Sequence, residues 1–159
     1  AKSLKYIHSA GIIHRDIKPE NVIEAKDGMI KLIDLGICRE FDKTGNLTEG
    51  ASTGPYIPPE GCGIKHDICS TAVVWFELMT NRLPMYSSVR TKAAVAHAFM
   101  IETTEVNDQV IDLFFHMIEP DAGVRWTAAQ ASPAMTRILE ALSKGPKPNI
   151  YSILSCTVS

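Results

Sequence analysis

A mostly α-helical domain with one small β-hairpin is the fold class that this sequence predicts, and three observations carry it. Helical patterns of apolar residues fill 67–80, 107–118 and the stretch after Thr127. Between them and the N-terminus lie two short β-favouring runs, Val22–Ile23 and Met29–Ile33, separated by the turn signal Lys26-Asp27-Gly28. The third observation is scale: 159 residues, 45% hydrophobic, suffice for one core.

The elements follow in chain order. Leu4, Ile7 and Ala10 stand at helical spacing with Tyr6 alongside, and Gly11 reads as the stop of that helix. A polar loop, Gly11 to Asn21, leads into the hairpin, which runs from Asn21 at one end to Asp34 at the other. Residues 40–50 are polar and read as a mobile loop. The run 67–80, DICSTAVVWFELMT, predicts an apolar helix that Asn81-Arg82-Leu83-Pro84 end. Two more helices are predicted over 87–100 and 107–118, the second with Val110, Ile111, Leu113, Phe114 and Met117 on its apolar face. Thr127 caps a last helix through about Ser143, and 144–159 reads as a Pro- and Ser-bearing tail.

Composition narrows the classes of function. A formal net charge of −2 argues against nucleic acid or an anionic membrane as the main partner. The longest apolar run, 72–79, contains Glu77 and falls short of the roughly 18 residues of a membrane span. Cys38, Cys62, Cys69 and Cys156 form no C-x-x-C pair and no zinc-spaced cluster. They read as buried or incidental thiols, which leans toward a reducing, cytoplasmic compartment. No signal peptide is visible, although Ala1 is not an initiator Met.

The chemistry concentrates in GIIHRDIKPEN, residues 11–21. Asp16 offers a carboxylate that can accept the proton of an attacking hydroxyl. Lys18, two residues on, can neutralise a transferring phosphoryl, and the amide oxygen of Asn21 is a hard donor suited to magnesium. Taken alone, such a loop is a solvated turn; a second acid, Asp34, arriving behind the hairpin makes it a site.

These residues resemble a known family. HRDIKPEN matches the catalytic loop of eukaryotic protein kinases, H-R-D-x-K-x-x-N, and Asp34-Leu35-Gly36 resembles D-F-G with Leu for Phe. Residues 52–60, STGPYIPPE, resemble G-T-x-x-Y-x-A-P-E, with Ser52 for Gly and Pro58 for Ala. Residues 67–78 resemble the family's central D-x-W-S-x-G-x-x-x-x-E-L helix, with Cys69 for Trp and Ala72 for Gly. Residues 119–127 resemble D-P-x-x-R-x-T with one or two extra residues before Arg125.

The resemblance implies a protein kinase C-terminal lobe over 1–143, using ATP and Mg²⁺ to phosphorylate a protein substrate. Asp16, Lys18 and Thr53 would be catalytic, and Thr53 with Lys18 marks the serine/threonine branch. Asn21 and Asp34 would hold magnesium, with Lys18 at the γ-phosphoryl and Ile23 beneath adenine. Arg15 would read a phosphate on Thr44, Thr48 or Ser52, placed there by an upstream activating kinase. Asp67 would support the catalytic loop, and Arg125 would pair with Glu60.

The family's other half has no counterpart here: no G-x-G-x-x-G, no V-A-I-K strand and no Walker-type loop. The reading is therefore a partial catalytic domain, with little turnover expected of the chain alone. Phosphoryl transfer depends mostly on positioning. The alternative is a truncated or pseudokinase-like lobe that serves as a docking module.

Overall fold

The computed structural model describes residues 2–26, 30–40, 55–58, 65–84, 91–99 and 105–144. Helix α1 (Lys2–Ser9) opens the chain and ends at Gly11, whose φ of 76° lies in the left-handed region that glycine adopts without strain. Strand β1 (Ile12–Ile13) follows, then a loop that closes in a short 3-10 turn over Pro19–Asn21. Strands β2 (Val22–Glu24) and β3 (Ile30–Leu32) form the expected antiparallel hairpin, with Val22 opposite Leu32 and Glu24 opposite Ile30. Strand β4 (Arg39–Glu40) returns to pair with β1, Ile12 against Glu40 and Ile13 against Arg39.

That last pairing corrects one expectation. Glu40 stands at the head of the predicted loop but is held in a ladder. A two-residue strand has no periodicity to read, so its partner decides it.

Four helices complete the fold: α2 (His66–Thr80), α3 (Lys92–Phe99), α4 (Glu105–Ile118) and α5 (Ala128–Ser143). Of the predicted helix 87–100, the described residues show Lys92–Phe99, with Thr91 ahead of it accepting the Ala94 amide at 3.1 Å through its hydroxyl; 87–90 and 100 lie outside the described residues. At the end of α2, Asn81 adopts φ 54° and its amide reaches the Glu77 carbonyl at 2.7 Å. Thr127 caps α5 as predicted, its hydroxyl accepting the Gln130 amide while Gln130 Oε1 accepts the Thr127 amide at 2.8 Å. Pro133 sits in the second turn of α5 on its exposed side.

Helix α2 is the axis of the core. Every residue from His66 to Phe76 is buried, and the polar Asp67, Ser70 and Thr71 among them are each hydrogen-bonded. It packs on α4 and α3, α4 packs on α5, and α1 lies against α5. Trp75, Phe76, Phe99 and Phe114 interlock where three helices meet, with Phe99 and Phe114 edge to face at 5.3 Å between centroids. No helix among the described residues is long and apolar enough to cross a membrane.

Phe114 is fully buried at the centre of this cluster. Phe114→Ala is expected to cost about 3–5 kcal/mol of unfolding free energy in a urea titration. A loss below about 1 kcal/mol would place the core elsewhere.

Candidate active site

The loop between β1 and the 3-10 turn is built around one buried acid on another element. Asp67 stands in the first turn of α2, with 0% of its surface exposed. Its Oδ2 accepts the His14 amide at 2.8 Å and its Oδ1 accepts the Arg15 amide at 2.8 Å. His8, from α1, contributes a ring nitrogen 2.8 Å from Oδ2. Burial alone would push the Asp67 carboxyl upward. The His8 hydrogen bond and charge and the two backbone amides overcome that, and the group lies below its ordinary value.

The clamp has a conformational purpose. Arg15 has φ 72°, a left-handed backbone that a bulky residue adopts at a cost of order 1–3 kcal/mol. Two charge-assisted hydrogen bonds, from the amides on either side of the His14 Cα, hold the backbone entering Arg15 and offset that cost. The turned backbone delivers Asp16 to the mouth of the loop.

Three predicted site residues meet there. Lys18 Nζ lies 2.7 Å from Asp16 Oδ2. Asn21 Nδ2 donates to the same Oδ2 and to the Asp16 carbonyl, both at 2.8 Å. Both partners of that nitrogen are acceptors, so the amide orientation follows from the network, and Asn21 Oδ1 is turned away from Asp16. Asp16 Oδ1 carries no hydrogen bond among the described residues. The hydrogen bond to Asp16 raises the Lys18 pKa above its ordinary value. Burial opposes this, and the charges of Asp16, Glu20 and Asp34 reinforce it.

Asp34 is brought alongside by the hairpin. The Ile33 amide donates to the Asn21 carbonyl at 3.0 Å, so Asp34 follows directly on the residue hydrogen-bonded to Asn21. Its backbone is left-handed, φ 62°, and its Oδ1 accepts the Gly36 amide at 3.0 Å. A Cβ at Gly36 would stand 3.0 Å from that same oxygen, which keeps position 36 small. Ile23 lies on β2, exposed rather than packed in the core.

Other expected residues fall elsewhere. Thr53, Thr44, Thr48, Ser52 and Glu60 lie outside the described residues. Arg15 is buried. Arg125 is buried too, donating to the carbonyls of Glu119 at 2.7 Å and of Lys65 and Pro120 at 3.3 Å. Cys38 sits 3.5 Å from the His14 carbonyl, and burial, then the charges of Asp67 and Asp34, push its thiol up.

The comparisons now have a geometry to attach to. The model of the protein kinase domain matches residues 1–134. The chain belongs to the protein kinase family. It is 29% identical over 134 residues to a calcium/calmodulin-dependent protein kinase kinase of Emericella nidulans, a match covering 77% of this chain and 26% of that protein. It is 38% identical over 105 residues to the serine/threonine-protein kinase CHK1 of Mycosarcoma maydis, covering 55% and 16%. Against the RAC serine/threonine-protein kinase of Drosophila melanogaster the identity is 41% over 91 residues, 54% of this chain and 15% of the relative. The kinase-family chain thus spans only about a quarter or less of the length of these three relatives.

Within this kinase-family domain, two contacts escaped sequence reasoning. His14 ties the two loops together: its Nε2 lies 3.2 Å from the Ile33 carbonyl, and its Nδ1 accepts the Asp16 amide at a long 3.4 Å. With Nδ1 an acceptor, Nε2 is the protonated nitrogen that donates to Ile33. The second contact is Tyr56, whose hydroxyl donates to Glu77 at 2.7 Å while its carbonyl accepts the Ser70 hydroxyl at 2.8 Å. Burial first, then the Glu77 hydrogen bond and the charges of Glu77 and Glu20, drives the Tyr56 pKa far up, so it stays a donor. Neither pair has a recognisable spacing, since 19 and 21 residues separate the partners.

Two outcomes follow for the kinase scaffold. Asp67 is depressed in the folded state, so its stabilisation is present above the unfolded carboxylate value of about 4 and is lost as pH falls through the folded value. Asp67→Ala should cost about 3–5 kcal/mol at pH 7 and flatten the acid limb of a stability-versus-pH curve. His14→Phe keeps the ring but leaves Ile33 O without its donor, at about 1–3 kcal/mol. Amide exchange of residues 30–36, followed by mass spectrometry, should accelerate, whereas unchanged exchange there would deny His14 its bridging part.

Proposed function

We propose that this chain is the C-terminal lobe, residues 1–143, of a protein serine/threonine kinase, with 144–159 a tail, and that the parent protein transfers the ATP γ-phosphate to Ser or Thr of a protein substrate. The observation that carries the reading is the arrangement at Asp16. One carboxylate oxygen is occupied by Lys18 and Asn21, and the other is left for a substrate hydroxyl. Asp16 orients that hydroxyl and accepts its proton through Oδ1. Lys18, an ammonium held against Asp16, carries positive charge to the transferring phosphoryl.

The donors suit a hard divalent cation. Asn21 presents Oδ1 because its nitrogen is committed to Asp16, and Asp34 adds an exposed carboxylate one residue past the Ile33–Asn21 bond. Among the described residues no three His, Cys, Asp or Glu side chains gather as a complete metal site, so phosphate oxygens would complete the shell. Mg²⁺ held there would supply charge neutralisation on the β- and γ-phosphates. The exposed Ile23 is suited to the adenine ring from below, and Thr53 to fixing Asp16 and Lys18. A lobe carrying a glycine-rich loop and a strand lysine, neither of which this sequence contains, would cover the nucleotide. Arg15 and an activating kinase acting on Thr44, Thr48 or Ser52 belong to the same proposal.

The test is phosphate transfer from labelled ATP to Ser/Thr peptides by the longest protein encoded with this chain. Asp16→Asn should lower turnover by on the order of 10²–10⁴-fold with KM for ATP little changed. Full activity in that variant would defeat the assignment and favour the docking-module reading.

A further inference from the structure

The face between α1 and the β2–β3 hairpin is apolar and has no cover among the described residues. Tyr6 and Ile7 from α1, Ile30 and Leu32 from β3, and Leu35 just beyond line a cavity of ≈ 480 Å³ there. Tyr6 is 76% exposed and Leu35 62%, although both are large hydrophobic side chains. Helix α1 thus offers apolar residues on two sides: Leu4 is buried in the core, whereas Tyr6 stands at the cavity. Lys2 and Lys31 also line the cavity, and no carboxylate does. The flanking Lys5 and Lys26 are matched in number by Glu24 and Asp34. Charge therefore disfavours a basic occupant, and apolar fit decides among the rest.

The chain carries a segment of that chemistry. Past α5 the sequence continues as GPKPNIYSILSCTVS, residues 145–159, which lie outside the described residues. Ile150, Tyr151, Ile153 and Leu154 crowd its middle, and no charged side chain follows Lys147. Such a stretch is unfavourable in water and gains by burial. It is attached at a suitable place, because α5 packs against α1, the helix that carries Tyr6 and Ile7. Reach is sufficient as well. The 16 residues of α5 rise about 24 Å. Gly145 to Leu154 extend to about 33 Å, so the segment arrives at α1 wherever along α5 the two helices meet. A tether this short gives an effective concentration of about millimolar, which favours this segment over an untethered partner or a second copy of the chain.

We infer that residues 150–154 dock within their own chain on the face between α1 and the hairpin, where Ile150, Tyr151, Ile153 and Leu154 cover the cavity lined by Tyr6, Ile7, Ile30, Leu32 and Leu35. The docked segment closes an apolar patch that would otherwise invite association. It also lies beside Asp34, the residue before Leu35. A covering lobe of the kind proposed above needs the same face, so that lobe and the segment exclude each other. The inference itself does not rest on phosphoryl transfer, and its test reads contact rather than turnover.

Tyr6 is exposed enough to carry a photoreactive side chain without disturbing the core. The 159-residue chain with p-benzoylphenylalanine in place of Tyr6 is irradiated, and the cross-links are mapped by mass spectrometry. A link within one chain, from position 6 into 148–159, is expected, with a yield unchanged by ten-fold dilution. Ile153→Asp combined with Leu154→Asp should lower that yield at least five-fold. Thr157→Asp combined with Ser159→Asp adds the same charge, spares the apolar residues and should leave the yield unchanged. Links that join two chains would overturn the inference in favour of a second copy. Links that map to no residue of 148–159 would overturn it outright. A yield undiminished by the Ile153 and Leu154 substitutions would do the same, since contact would then be chance encounter of a tethered segment.

Discussion

The carboxylate of Asp67 is the constraint on which the rest of this structure depends. It is a charge removed from water, which is costly unless every lone pair is used. Here the two oxygens take the amides of His14 and Arg15 and a nitrogen of His8. Three elements are thereby joined at one point: the first turn of α2, the end of α1 and the loop that carries Asp16. The left-handed Arg15 sits inside that junction. The bulk of the helical core matters to the site because it holds the Asp67 end of α2 still.

From that point, order passes along short contacts. His14 carries it to Ile33 and so to Asp34, and Asn21 carries it back from β2 to Asp16. Asp16, Lys18 and Asn21 hold one another, and the backbone that carries them is held by Asp67 and His14, for which no chemistry is proposed. The cost appears as two non-glycine residues with positive φ on the chemical side of the domain, Arg15 and Asp34, the second tolerated better because Asp can bond its own turn. Such preorganisation suits phosphoryl transfer, where the protein contributes position and field rather than covalent chemistry.

The apolar surface divides into two kinds. The α2, α3 and α4 aromatics are closed on one another. Tyr6, Ile23 and Leu35, by contrast, are exposed on the elements that carry the loops. A cavity of ≈ 480 Å³ lined by Tyr6, Ile7, His14, Ile30, Leu32 and Leu35, among others, opens on that side. Apolar side chains on this face, beside the proposed nucleotide position, are what a covering lobe would need beneath it.

The sequence by itself determined the elements whose signal is local. Helices α2, α4 and α5 follow from continuous or periodic apolar residues, the β2–β3 hairpin from its turn, and the ends of α1 and α2 from Gly11 and Asn81. It also marked Asp16, Lys18, Asn21 and Asp34 as residues whose chemistry belongs together. Tertiary structure decided what no spacing encodes. The β1–β4 pairing, the His14–Ile33 and Tyr56–Glu77 bonds and the His116–Trp126 stack join residues that only the packed core brings within reach. The physical reason is range: propensity and periodicity act over a few residues. A hydrogen bond between distant positions exists only after helices have packed and water has been excluded.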